Sequence, residues 1–160
     1  MKRFFILILI ASFNVSAADQ AITQWVYNTL ERAQANLDKG NLEAAERIYY
    51  DYANDTWSSR SYDHFVILRT YAYFLISYDR NEEALKYLKQ ASLKRDMPPY
   101  DIFELNFTLG QVYYVNGDRE NAKKTLLKWV EIGEKNKLDL KPEGYAILAT
   151  IYAQDEEWGN

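Results

Sequence analysis

His64 is the only histidine in the chain, and there is no cysteine. With one imidazole and no thiol, neither a Ser-His-Asp nor a Cys-His relay can be argued, and a His-rich or thiolate zinc site is impossible. His64 reads as a surface or capping residue near the start of a helix. Carboxylates could serve as general acid and base. The pairs Glu82-Glu83 and Glu156-Glu157 are adjacent in sequence, however, so they point in different directions around a helix and read as solvated faces. There is no Gly-rich phosphate loop. Asn54-Asp55-Thr56 and Asn106-Phe107-Thr108 match a glycosylation sequon, but the second falls mid-helix and both read as coincidence. The chemistry left is recognition: fourteen tyrosines, rings that offer contact area with a polar tip. The expectation is a protein that is not an enzyme, with no cofactor and no metal.

The elements that position those rings follow from composition and pattern. Of 160 residues, 48% are hydrophobic and 16% aromatic, with six Gly and three Pro, which is enough to bury the core of one domain. The net charge is −4, with acids and bases interspersed and no basic block, so nucleic acid or an anionic membrane is not expected as a main partner. Residues 1–18 read as a secretory signal peptide: Lys2-Arg3, an apolar run from Phe4 to Ala11, then Asn14-Val15-Ser16-Ala17-Ala18. Cleavage would start the mature chain at Ala18 or Asp19. An uncleaved anchor is the alternative, but the run is short of the ~20 residues that a span needs. No Cys follows it, so a lipoprotein is not expected, and no stable membrane span remains after cleavage. Loss of Lys2 and Arg3 takes the charge from −4 to −6. The expected product is acidic, exported and periplasmic.

From Gln20 onward the pattern is helical. Trp25, Leu30, Ala33 and Leu37 mark a first helix, which Gly40-Asn41 breaks. Leu42, Ala45, Ile48, Tyr49 and Tyr52 mark a second, and Asn54 to Ser59 reads as a loop. Ser61 or Asp63 can cap a third, with Phe65, Leu68, Tyr71, Ala72, Leu75 and Ile76 apolar. Asp79-Arg80-Asn81 turns the chain into a fourth, with Ala84, Tyr87, Leu88 and Ala91. Met97-Pro98-Pro99 is a loop, because Pro lacks the amide donor. Asp101 then looks like the cap of a fifth helix, Ile102 to Asn116. A sixth runs from Asp118 to about Ile132 and ends at Gly133 to Lys137. Pro142 suits the first turn of a seventh, which reaches about Gln154.

The helices repeat. Ala33, Ala72, Gly110 and Ala149 are spaced by 39, 38 and 39 residues. The turn residues Gly40, Asp79 and Gly117, and the small residues Ala45, Ala84 and Ala122, follow at 39 and 38. A fixed interval of this size signals stacked helix pairs, each burying its apolar face on its neighbours. The fold class is therefore all-α: antiparallel helix-pair repeats in an α-solenoid, about three and a half repeats and seven helices. One repeat domain covers 19–160, with repeats at about 20–57, 61–97 and 101–134 and a half repeat at 142–157. In the seventh helix Tyr145, Leu148, Ala149 and Tyr152 make one apolar face, while Ala146, Ile147 and Ile151 spread apolar surface to other sides. Such a helix wants two neighbours, and the sixth is only one. Either the chain is a piece of a longer array, or the last helix docks on a partner or on itself in a dimer.

These residues resemble the tetratricopeptide repeat family. The third unit matches best, through Leu109, Gly110, Tyr113, Gly117, Asp118, Ala122 and Leu126. The second matches through Tyr71, Ala72, Leu75, Ala84 and Leu88. The first keeps Ala33, Gly40, Ala45 and Tyr49, with Asn36 in place of an aromatic, and the fourth keeps Leu148, Ala149 and Tyr152. The family period is ~34 residues, so each unit here carries four or five more, most easily at Trp57 to Tyr62 and Met97 to Asp101. Tyr49, Tyr71, Tyr113 and Tyr152 fall in repeat core slots. The resemblance implies a groove, lined by the first helix of each pair, that holds peptides or partner helices. Its candidates are Tyr27, Leu30 and Gln34, then Arg69, Tyr73 and Ile76, then Phe107, Gln111 and Tyr114; for Tyr73 and Phe107, packing between pairs is the competing role. The Lys/Asn clamp that some members use for a C-terminal carboxylate is absent. A looser resemblance, in the order of signal peptide, divergent first pair, Pro98-Pro99, Lys128-Trp129 and Pro142, is to periplasmic repeat proteins encoded beside TonB, ExbB and ExbD, which implies those components as partners. The alternatives are a cell-envelope assembly or Tol-linked repeat protein, or the regulatory front of a longer enzyme.

Overall fold

The computed structural model describes residues 21–55 and 61–158. The leader expected at 1–18, the loop reading at Thr56 to Ser59 and the side chains of Glu156 and Glu157 lie outside the described residues. Among these there are seven helices and no strand: α1 Gln24–Asp38, α2 Leu42–Asn54, α3 Ser61–Ser77, α4 Asn81–Ser92, α5 Pro99–Val115, α6 Arg119–Asn136 and α7 Pro142–Trp158. None of them is long and apolar enough to cross a membrane. α1 packs on α2, α3 on α4 and α5 on α6; successive pairs meet through α2 with α3 and α4 with α5, and α7 rests on α5 and α6.

The three turns within pairs share one backbone solution. Gly40 and Gly117 have φ of 76° and 79°, and Asp79, between them in the series, has 59°. In each, the next amide reaches back five residues: Asn41 N–H to Asn36 O at 2.8 Å, Arg80 to Leu75 at 3.0 Å, Asp118 to Tyr113 at 2.9 Å. This closes the helix with a left-handed residue that reverses the chain. Glycine adopts it freely; Asp79 adopts it at some strain. Lys137 ends α6 in the same way, with φ 54° and Leu138 N–H on Gly133 O at 2.9 Å. The sixth helix therefore does not end at Gly133. That glycine is helical and buried because its missing Cβ makes room: a methyl there would lie 2.6 Å from Leu140 Cδ2 and 2.9 Å from Phe103 Cε2.

The repeated small residues sit where the two helices of a pair touch. Ala33 and Ala72 are wholly buried. A Cβ on Gly110 would stand 2.5 Å from Leu126 Cγ and 2.6 Å from its Cδ2. Gly110→Leu is therefore expected to force α5 and α6 apart, at a cost of ~1–3 kcal/mol from overpacking. A urea midpoint equal to that of the unaltered protein would count against this pairing.

Several apolar stripes run differently from the expected ones. In α1 the buried line is Val26, Thr29 and Ala33, while Trp25 lies outside it, its ring tilted against that of Tyr52 at 4.7 Å. In α2, Ala45, Tyr49 and Ala53 are buried and Leu42 is exposed. In α7, Gly144, Leu148 and Ile151 face the stack, and Tyr145, Ala149 and Tyr152 are exposed. Tyr152 is thus not in a core slot, and Tyr113 is only half-buried, whereas Tyr49 and Tyr71 are buried. Two clusters result, one centred on Phe65, Leu68, Tyr71, Leu75 and Leu88, the other on Phe103, Phe107, Leu126, Trp129 and Leu148.

Polar ties hold successive first helices together. Asp63 and Asp101 stand at equivalent places and are 2% and 5% exposed. Neither side chain caps its own helix. Asp63 accepts from the Thr23 amide at 3.0 Å and hydroxyl at 2.9 Å, joining α3 to the start of α1. Asp101 accepts from the Tyr62 hydroxyl at 3.0 Å and pairs with Arg69 at 2.5 Å, joining α5 to α3. Burial, followed by the Asp101 charge, pushes the Tyr62 hydroxyl up to about 12. At the next junction Lys141 reaches Glu104 at 2.8 Å.

Candidate functional site

α3 and α5 are apolar on most sides because each is packed between neighbours. Each still leaves a strip uncovered, and between the two strips runs a trough of about 810 Å³. α3 contributes Thr70, Tyr73, Phe74, Ile76 and Ser77, and α5 contributes Glu104, Phe107, Thr108, Gln111, Val112 and Val115. Leu37 and Tyr49 of the first pair, Tyr78, Asn81 and Lys141 complete the wall. Tyr73, Tyr78 and Val115 are its exposed large apolar members, at 36%, 43% and 65%. The Tyr73 hydroxyl spans the trough to Thr108 Oγ1 at 3.4 Å. Desolvation raises the pKa of the Tyr73 hydroxyl against the opposing pull of Arg69, so it stays protonated. Lys141 lies over the Phe107 ring at 4.6 Å while it pairs with Glu104. Those two are the charged lining residues and they neutralise each other. The trough therefore presents rings, aliphatic groups, hydroxyls and the Gln111 amide to whatever enters it.

Of the nine residues expected in a groove, Tyr73, Ile76, Phe107 and Gln111 come together on this wall. Phe107 is buried and packed on Trp129 at 5.1 Å, so it serves both packing and lining. Tyr27 is exposed on α1 away from the trough, Leu30 packs against the first core cluster, and the Gln34 amide is held by Asp38 at 2.8 Å. Tyr114 is half-buried and does not line the trough. Arg69 is the main correction: its charge is committed to Asp101 inside the α3–α5 junction, so it does not serve as a groove cation. Glu104, Thr108 and Val115 were missed. They share the Gln111 strip at helical spacing, and the signal was its mixed polarity on an otherwise apolar helix.

The remaining candidates for chemistry are structural. His64 Nε2 donates to Ala53 O at 3.1 Å, at the end of α2, and its Nδ1 accepts from Lys94 Nζ at 2.9 Å. It is a half-buried link between pairs, where desolvation and then the Lys94 charge lower its pKa below 6.5, partly offset by the Ala53 carbonyl. Glu83 is exposed and paired with Arg80, which also holds Glu46. No group of His, Asp or Glu among the described residues is placed to hold a metal ion.

No family model matches the chain. Over 118 residues the sequence is 29% identical to pre-mRNA-splicing factor 6 of Saccharomyces cerevisiae, an alignment covering 67% of this chain and 11% of that protein. The chain thus spans about a ninth of the length of the curated relative it matches. What stands is an all-helical stack of pairs, with an open trough between the first helices of its second and third pairs whose two charged lining residues, Glu104 and Lys141, pair with each other.

Proposed function

We propose that the chain is a tetratricopeptide-type adaptor with no reaction of its own, holding a segment of another protein in the trough between α3 and α5. The observation that carries this reading is the trough's lining. Rings and aliphatic side chains supply area, the Gln111 side-chain amide has no hydrogen-bond partner among the described residues, and the paired charges of Glu104 and Lys141 leave no net charge. An uncharged segment, either extended or presenting the apolar face of a helix, suits such walls. A deep catalytic pocket would instead converge titratable groups on one point.

The finer reading is that the protein is exported to the periplasm by residues 1–18 and binds a periplasmic segment of a TonB-type system. Support for it is the N-terminal pattern and the order of units along the chain. The test is a pull-down with that segment on the unaltered protein and on Tyr73→Ala/Gln111→Ala, in which the helix pairs stay intact. Retention by the unaltered protein and a fall of about tenfold or more in the variant is expected, since each lost anchor costs on the order of 1 kcal/mol. Equal retention by both removes the trough as the site. No retention by either removes the TonB-type partner.

A further inference from the structure

The hydrogen bonds within the trough determine what its walls can still offer. Thr70 Oγ1 donates to Val66 O at 2.8 Å, Ser77 Oγ to Phe74 O at 2.6 Å and Thr108 Oγ1 to Glu104 O at 3.1 Å. A hydroxyl has one proton and two lone pairs, so each of these side chains is left as an acceptor. Because Thr108 has committed its proton, the phenol is the donor in the 3.4 Å contact between Tyr73 and Thr108. The Tyr73 oxygen then has only lone pairs left. Glu104 accepts from Lys141 through Oε2, and its Oε1 has no partner among the described residues. Thr70 and Tyr73 lie about one turn apart on α3, Glu104 and Thr108 one turn apart on α5, and the Tyr73–Thr108 contact brings the two strips side by side. This end of the trough is therefore a group of acceptors set beside the Tyr73 and Phe107 rings. Lys141 is the donor there, and Glu104 holds it. Gln111, Tyr78 and Asn81, which can both give and accept, lie further along, toward the C-terminal ends of α3 and α5.

A group that matches such a wall gives protons and brings no acceptor of its own. Extended backbone, amide side chains and hydroxyls bring both. Lys and Arg only donate, but their charge is opposed by that of Lys141 at the same end. Indole is the uncharged side chain that only donates, and its ring supplies the area that apolar walls reward. We infer that the Thr70–Glu104 end of the trough is a subsite for a tryptophan side chain of the bound segment, its indole N–H donated to the oxygens that Thr70, Tyr73 and Glu104 leave open. The inference rests on the trough being the binding site, as proposed above, and adds which side chain of the partner anchors there.

The test titrates the full chain with three probes and follows its backbone amide NMR shifts. The probes are N-acetyltryptophanamide, its N-methylindole analogue, which lacks only the ring N–H, and N-acetylargininamide, a charged donor. Shifts should saturate with the tryptophan probe and be largest around Thr70, Tyr73, Thr108 and Gln111. Methylation should weaken binding about fivefold, the worth of one hydrogen bond. Thr70→Val/Tyr73→Phe removes two acceptor oxygens and keeps the shape of the wall. On that variant the two indoles should bind alike, at the level of the methylated probe on the unaltered protein. Equal binding of both indoles to the unaltered protein overturns the inference, as does a preference that survives in the variant or the absence of saturable binding. Tighter binding of the arginine probe also overturns it and assigns this end to a cation. Each of these results leaves the adaptor reading to the Tyr73→Ala/Gln111→Ala pull-down. Saturable shifts confined to helices that do not line the trough would remove both.

Discussion

Asp101→Ala is expected to destabilise the protein by ~3–5 kcal/mol, the cost of leaving one member of a buried ion pair without its partner. The Arg69 side chain is 16% exposed and that of Asp101 7%, so neither charge has ready access to water. The substitution also strips the Tyr62 hydroxyl of its acceptor. For a chain of this length the melting temperature should fall by on the order of 10 °C. The control is Arg69→Met combined with Asp101→Leu. Replacing both charges by apolar groups of similar volume removes the desolvation cost along with the attraction, so the double variant should recover most of the loss. Urea denaturation at neutral pH decides it. A loss below about 1 kcal/mol in Asp101→Ala would mean that the α3–α5 junction is held by packing alone. The walls of the trough are these two helices, so their relative placement depends on this tie.

The elements legible in the sequence were those governed by backbone chemistry. A left-handed residue is needed wherever a helix reverses within three residues, and Gly40, Asp79 and Gly117 announced it at fixed intervals. Small residues at helix contacts were legible for the same reason, since Ala33, Ala72 and Gly110 recur in phase with those turns. Long-range polar pairing was not. Asp63 and Asp101 stand 38 residues apart, but their side chains reach partners one unit earlier, and spacing alone fitted a helix cap equally well. Gly133 misled for a different reason. Local propensity reads it as a stop, whereas packing against Leu140 and Phe103 requires its missing Cβ in mid-helix. On the site, the register of α5 was off by a fraction of a turn, so Tyr114 was chosen where Thr108 and Val115 line the wall. Arg69 looked available because its partner, Asp101, was assigned to a cap.

Trp129→Ala is the other large effect, expected at ~3–5 kcal/mol for a truncated buried aromatic, and it should be unevenly spread. Trp129 is wholly buried. Its ring meets Phe103 at 5.5 Å and Phe107 at 5.1 Å on α5, and Tyr145 at 5.8 Å on α7. Gly144 lets α7 lie directly on it: a Cβ there would come within 2.6 Å of the indole Cη2. Among the described residues no other side chain joins α5, α6 and α7 through so many rings, and the first cluster, from α1 to α5, does not include it. Amide exchange should therefore rise first and most in α7, with α3 and α4 protected until global unfolding. Trp129→Phe should cost less, because the indole N–H has no partner among the described residues and no hydrogen bond is lost with it. Uniform loss of protection along all seven helices would show instead that the stack unfolds as a single unit and that α7 owes nothing particular to Trp129. Selective release of α7 would also show that the α3 wall of the trough draws its support from the first cluster and not from Trp129.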